Sequence, residues 1–133
     1  MGIVGMAVIS SYGSITGYAT VEQGISIDIY GSSNDEMYDL KTVHQGETAY
    51  SPKIKLKNSI DNAVDVNITF EIMAGSAGGE EDLGFSIVNE YKNETLINPI
   101  TIPTDDLYFY VEHKFQPDAE LGNYTFGLEV IPA

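Results

Sequence analysis

From Val64 to Ile72 the chain alternates without a break, with Val64, Val66, Ile68, Phe70 and Ile72 on one side and Asp65, Asn67, Thr69 and Glu71 on the other. Successive side chains of a β-strand point to opposite faces, so the pattern writes one apolar face and one wet face, whereas a helix would scatter the same residues around its circumference. The same period of two recurs. Ile25, Ile27 and Ile29 alternate with Ser26, Asp28 and Tyr30 and stop at the turn residues 31–35, and Ile54 and Leu56 sit between Lys53, Lys55 and Lys57. Further strands are expected at 85–88, at 96–102 closed by Pro103, at 107–115 and at 123–131. About eight strands separated by Gly, Pro, Asn and Asp turns, with no convincing helix, predict an all-β chain. The expected class is an antiparallel β-sandwich, jelly-roll or immunoglobulin-like, although neither a Cys pair nor a Trp marks a true immunoglobulin domain.

The beginning of the chain breaks this rhythm. Residues 1–9 form an uncharged apolar run in which Val4, Met6, Val8 and, further on, Tyr12 share one face of an extended strand, with Ile3, Ala7 and Ile9 on the other. A strand apolar on both faces belongs between two layers. The run is far too short to cross a bilayer as a helix. No Lys or Arg precedes it, and the small residues of a cleavage site come late, at Gly17-Tyr18-Ala19, so it reads poorly as a signal peptide. With 133 residues, one sandwich domain over 21–133 is expected to follow a donor strand and linker over 1–20. Ile3, Val4, Met6, Val8, Ile9 and Tyr12 are the candidate donor residues. Val64, Val66, Ile68, Phe70, Tyr124, Phe126 and Leu128 are the candidate acceptor groove, chosen for their alternation.

Charge narrows the partners. Six basic residues, all lysines, against 20 acidic ones leave −14. Such a surface repels phosphate backbones and anionic headgroups, which excludes nucleic acid and docking to a membrane surface through a basic patch. Cations are the expected small partners. Asp35, Glu36 and Asp39, and Glu80, Glu81 and Asp82, are candidate hard-oxygen ligands for calcium, without EF-hand spacing, beside the plainer reading of solvated loop charge. No cofactor is required. Asn67, Asn93 and Asn123 head Asn-x-Thr sequons, glycan acceptors in an exported chain.

Catalysis finds little support. There is no cysteine, His44 and His113 stand apart, and neither a His-Glu-x-x-His nor a Gly-x-Ser-x-Gly motif occurs. The Gly-rich stretch 75–79 runs into acids that would repel a phosphate. An enzyme would need converging carboxylates, such as Glu112 beside an aromatic cleft. Tyr108 and Tyr110 share a strand face suited to carbohydrate or protein contact.

Three stretches carry a resemblance: Ala19-Thr20-Val21-Glu22-Gln23-Gly24-Ile25-Ser26-Ile27-Asp28-Ile29, Gly46-Glu47 ahead of Pro52-Lys53-Ile54-Lys55-Leu56-Lys57-Asn58-Ser59, and Gly122-Asn123-Tyr124-Thr125-Phe126. With the small-residue-rich N-terminal strand, the chain resembles the camelysin/TasA-type extracellular fibre proteins, especially archaeal bundling-pilus, thread and cannula subunits. The resemblance implies a jelly-roll-like sandwich whose N-terminal strand completes the next subunit by donor-strand complementation. It also implies secretion and assembly into surface or biofilm filaments, with neighbouring filaments as partners. Some relatives carry a peptidase label, and no metal-ligand motif here supports it. The alternative is a secreted monomeric binding module that tucks in its own N-terminal strand.

Overall fold

The computed structural model describes residues 12–21, 24–31 and 37–133. Among them are nine strands: β1 (Ile25–Ile29), β2 (Thr48–Tyr50), β3 (Ile54–Asn58), β4 (Val64–Ile72), β5 (Leu83–Asn89), β6 (Thr95–Leu96), β7 (Ile100–Ile102), β8 (Leu107–Phe115) and β9 (Phe126–Pro132). No helix occurs among the described residues. Every pairing is antiparallel. One sheet runs β1-β3-β8-β5-β6, with β2 also on β8, and the second runs β7-β4-β9.

Period-two alternation explains why these segments form strands and where the core lies. Ile54 and Leu56 of β3, Ile87 of β5, and Phe109 and Val111 of β8 meet Val66 and Ile68 of β4 and Ile100 and Ile102 of β7. Burying each such side chain is worth about 1.5–3 kcal/mol relative to leaving it in water. The polar alternates, Lys55 and Lys57 on β3 or Asp65 and Thr69 on β4, remain half-buried or exposed.

Two local devices depart from plain alternation. Both β2 and β3 pair with β8, Thr48–Tyr50 opposite Lys114 to Glu112 and Ile54 to Leu56 opposite Phe109 to Leu107, so they are two halves of one strand interrupted at residues 51–53. Pro52 has no N–H to offer a ladder. Ser51 bridges the break: its N–H donates to Val111 O (2.9 Å) and its Oγ accepts from Val111 N–H (2.8 Å), standing in for a backbone carbonyl. The short β2 itself had no counterpart among the strands expected from sequence.

The second device corrects an expectation. Residues 96–102 are two short strands in different sheets, where one continuous strand was expected. β6 pairs with β5 and β7 with β4. Pro99 cannot donate to a ladder, and at the crossing Asn98 uses its side-chain amide instead. Its Nδ2 donates to Ile68 O (2.8 Å) and its Oδ1 accepts from Ile68 N–H (2.9 Å), which caps the edge of β4 beyond the end of β7. Asn58 ties the sheets at another corner. From the end of β3, its Nδ2 donates to Asn62 O and to Pro103 O, both at 2.9 Å.

Candidate functional site

Among the described strands the order leaves β1 and β6 at the ends of one sheet and β7 and β9 at the ends of the other, each with one unpaired edge. β4 takes one side of β9 along its whole length, from Val66 opposite Pro132 to Ile72 opposite Phe126. Between the β1 and β9 edges lies an open groove of about 1150 Å³. Its floor and walls include Ile27 and Ile29 of β1, Ile54 of β3, and Phe126 and Leu128 of β9 with Tyr124 just before it.

One rim of the groove is the segment 37–44. It carries no strand pairing, yet its burial alternates like a strand, with Tyr38 and Leu40 half-buried, Asp39 and Lys41 exposed, and Val43 turned in again. Tyr38 anchors it. Its ring packs against Phe126 and against His113 of β8, and its hydroxyl lies 2.6 Å from His113 Nε2. His113 is wholly buried against Phe85 and Phe126, and its Nδ1 has no hydrogen-bond partner among the described residues. Burial pushes the His113 pKa down to about 4, because a charged imidazolium would lose its hydration there. The same desolvation raises the Tyr38 phenol well above its ordinary value. Both groups are neutral at pH 7, so Tyr38 and Phe126 give the groove an uncharged aromatic patch, backed by the buried His113, beside the charged Asp28, Asp39, Lys41 and Glu120 of its lining.

Residues 12–21 present the opposite situation. They run without strand pairing, and Tyr12, Ile15, Tyr18 and Val21 are each more than nine-tenths exposed. Large apolar side chains fully in water on one segment mark a surface that gains by being covered.

The residues singled out from sequence fall as follows. Ile3, Val4, Met6, Val8 and Ile9 lie outside the described residues, and Tyr12 is exposed. Tyr124, Phe126 and Leu128 line the groove. The β4 residues chosen with them do not: Val66 and Ile68 are sealed in the core, Val64 packs against that core, and Phe70 stacks face to face on Phe85 with ring centres 4.3 Å apart. β4 is the middle strand of its sheet, between β7 and β9, and of those two edges it is β9 that borders the groove. Asn67 is half-buried on β4, while Asn93 and Asn123 are exposed.

Of the candidate metal ligands, Asp35 and Glu36 lie outside the described residues. Asp39 receives the Lys41 N–H at 2.7 Å and its ammonium at 3.8 Å. Glu80 and Glu81 are exposed, whereas Asp82 is buried and turned inward, accepting from Gly79 N–H (2.9 Å) and Glu120 N–H (3.1 Å). A Cβ added at Gly78 would collide with the hydrogen-bonded Asp82 carboxylate and with the Tyr124 hydroxyl, so glycine fits beside that carboxylate where a larger residue would displace it. Among the described residues no group of three or more His, Asp or Glu side chains is placed to hold a metal ion, and no helix is long and apolar enough to cross a membrane.

Sequence reading passed over Tyr38, Leu40 and Val43, although Tyr38-Asp39-Leu40-Lys41 carries a short period-two signal. Comparison with known protein families, with characterised proteins and with solved structures returned no match.

Proposed function

We propose that this chain is a structural subunit of an extracellular filament, polymerising head to tail by donor-strand complementation in a jelly-roll-like sandwich. The observation that carries the reading is the pairing of an open groove beside the β9 edge, whose lining includes Ile27, Ile29, Ile54, Phe126 and Leu128, with an exposed apolar segment leading from the N-terminal run. In this reading the strand built on Ile3, Val4, Met6, Val8 and Ile9 enters the groove of the next subunit, and Tyr12 follows it. It pairs with the free edge of β9 and covers Phe126, Leu128 and the β1 isoleucines. Main-chain bonds to β9 give register and direction, and the apolar side chains give affinity. Six large side chains contribute on the order of 10 kcal/mol before ordering costs. Tail and groove are different surfaces, so the contact is heterologous and propagates.

The size of the groove also suits a small ligand, which supports the second reading, a secreted monomeric binding module whose β9 edge and tyrosines receive a sugar or peptide. Negative-stain electron microscopy of the full chain, with and without calcium and after chelation, separates the two. Long uniform filaments are expected under at least one condition, and their loss on chelation would add cation bridging. Dispersed particles throughout would select the binding module.

A further inference from the structure

The lysines are not spread over the molecule. Alternation turns Lys55 and Lys57 of β3 and Lys114 of β8 to the outer face of the first sheet, opposite the buried Ile54, Leu56 and His113. Lys53 and Lys92 join them. The Lys53 ammonium lies 5.6 and 5.8 Å from the ring centres of Tyr30 and Tyr108, and that of Lys92 lies 4.4 and 4.5 Å from those of Tyr50 and Tyr110. Tyr30 and Tyr108 meet edge to face at 5.3 Å, and the Tyr50 hydroxyl donates to Glu112 at 3.0 Å. Five of the chain's six lysines therefore share one face, two of them held over pairs of tyrosine rings. Among the described residues Asp28 of β1, Glu112 of β8 and Glu90 stand on the same face, Glu90 lying 4.0 Å from the Lys53 ammonium, so the lysines outnumber these acids five to three.

An acidic counterpart stands at one end of the sandwich. Glu80, Glu81, Asp118 and Glu120 are all exposed on two loops that are bound to each other. Asp82 receives Gly79 N–H from one loop and Glu120 N–H from the other, Ala77 N–H donates to Asn123 O, and the Tyr124 hydroxyl donates to Glu120 O at 2.6 Å. These bonds join the two loop backbones, so the four exposed carboxylates rise from one acidic knob. The Tyr124 phenol registers the local field: burial raises its pKa first, and the charges of Asp82, Glu120 and Glu81 raise it further.

We propose that the lysine–tyrosine face of the first sheet docks on the acidic knob of a second copy of this chain. The Lys53 and Lys92 ammonium groups, already held over tyrosine rings, have little side-chain entropy left to lose on docking. Tyrosine is enriched at protein interfaces for the same reason of large, stiff contact area. With −14 per subunit, copies repel one another except where a basic face meets an acidic one, so charge selects this orientation. The contact does not use the N-terminal run, and although Glu120 and Tyr124 also border the groove, Glu80, Glu81 and Asp118 stand outside it. It joins subunits laterally whether or not they are also linked head to tail.

The test is a charge swap in the full chain. Lys55→Glu with Lys57→Glu changes only outward residues of β3, and Glu80→Lys with Glu81→Lys only exposed loop residues. Sedimentation velocity near physiological salt is expected to show self-association weakened at least tenfold in each variant alone. Mixing the two variants joins a reversed knob to a reversed face and restores association to within about threefold of wild type. Electron microscopy read in parallel keeps the two contacts apart, since single filaments that no longer associate sideways report loss of this contact, and absence of filaments with the swap pattern intact reports failure of the head-to-tail reading alone. Unchanged association in either variant, or no rescue on mixing, overturns the proposal. So does unchanged self-association accompanied by lost retention of the lysine variant on an anionic polysaccharide, which would assign the face to another partner.

Discussion

Two assembly-dead variants are expected to combine into a dimer and go no further. Val4→Asp with Val8→Asp places two carboxylates on the strand that has to enter an apolar groove, and an unpaired buried charge costs several kcal/mol or is excluded from the site altogether. Leu128→Glu places the same obstacle on the acceptor side, on a β9 residue lining the groove. Each change removes a large part of a contact worth on the order of 10 kcal/mol before ordering costs, and every 1.4 kcal/mol is a factor of ten in affinity. Each variant alone therefore stays monomeric where wild type polymerises. The Leu128→Glu chain still owns a sound strand, and the Val4→Asp, Val8→Asp chain still owns a sound groove, so an equimolar mixture gives one-to-one complexes by light scattering. A self-inserting monomer predicts something different: both variants are destabilised and the mixture behaves as the sum of its parts.

The second large effect is on stability below neutral pH. His113 is buried and neutral, with its pKa pushed down to about 4, while in the unfolded chain it titrates near 6.5. Below pH 6.5 the unfolded state takes up a proton that the folded state refuses, so folding stability falls as the pH drops from 6.5 to 4 and is complete above that window. At 1.36 kcal/mol for each unit of pKa difference, the loss amounts to about 3 kcal/mol by pH 4. The ring's neighbours, Tyr38, Phe85 and Phe126, carry no charge in this range that could offset it. The 20 acidic residues work the other way over part of the window, because protonating them relieves repulsion. Comparison with His113→Leu isolates the histidine. Urea midpoints at steps from pH 7 to 4 are expected to fall more steeply for wild type than for the variant, and parallel curves would show that the ring does not titrate with unfolding.

Strict alternation was the most legible part of the fold. Ile25–Ile29, Val64–Ile72 and Leu107–Phe115 are strands over the expected residues, because each has one face in the core and one outside and no other secondary structure satisfies that division. What alternation could not convey is neighbourhood. Val64 to Ile72 has the cleanest pattern in the chain, and that alternation alone points to it as a groove wall. The quality of a pattern reports burial on one face, however, and a central strand such as β4 is the one best buried. The edge beside the groove fell to β9, where Gly127 and the half-buried Ile131 blur the period.

The groove rim was hidden for a related reason. Tyr38-Asp39-Leu40-Lys41 is too short to stand out, and the residues turned inward beside it face a slot rather than a strand. His113 is a polar residue on an apolar face, and only the fold reveals that Tyr38 arrives from 75 positions away to meet it. The lysines were countable from the outset, but their gathering on one face depends on β3 and β8 being adjacent, and that register is a property of pairing rather than of either strand.

The most direct test of the head-to-tail contact uses the absence of cysteine from the chain, which leaves any introduced pair as the only thiols present. Single cysteines placed in turn at Val4, Met6 and Val8 would each be combined with Leu128→Cys and oxidised under assembly conditions. The account predicts a ladder of disulfide-linked multimers on a denaturing gel for at least one position, strongest where the strand's register brings the two sulfurs together. Disulfides formed only within single chains would place the strand in its own sandwich and contradict it.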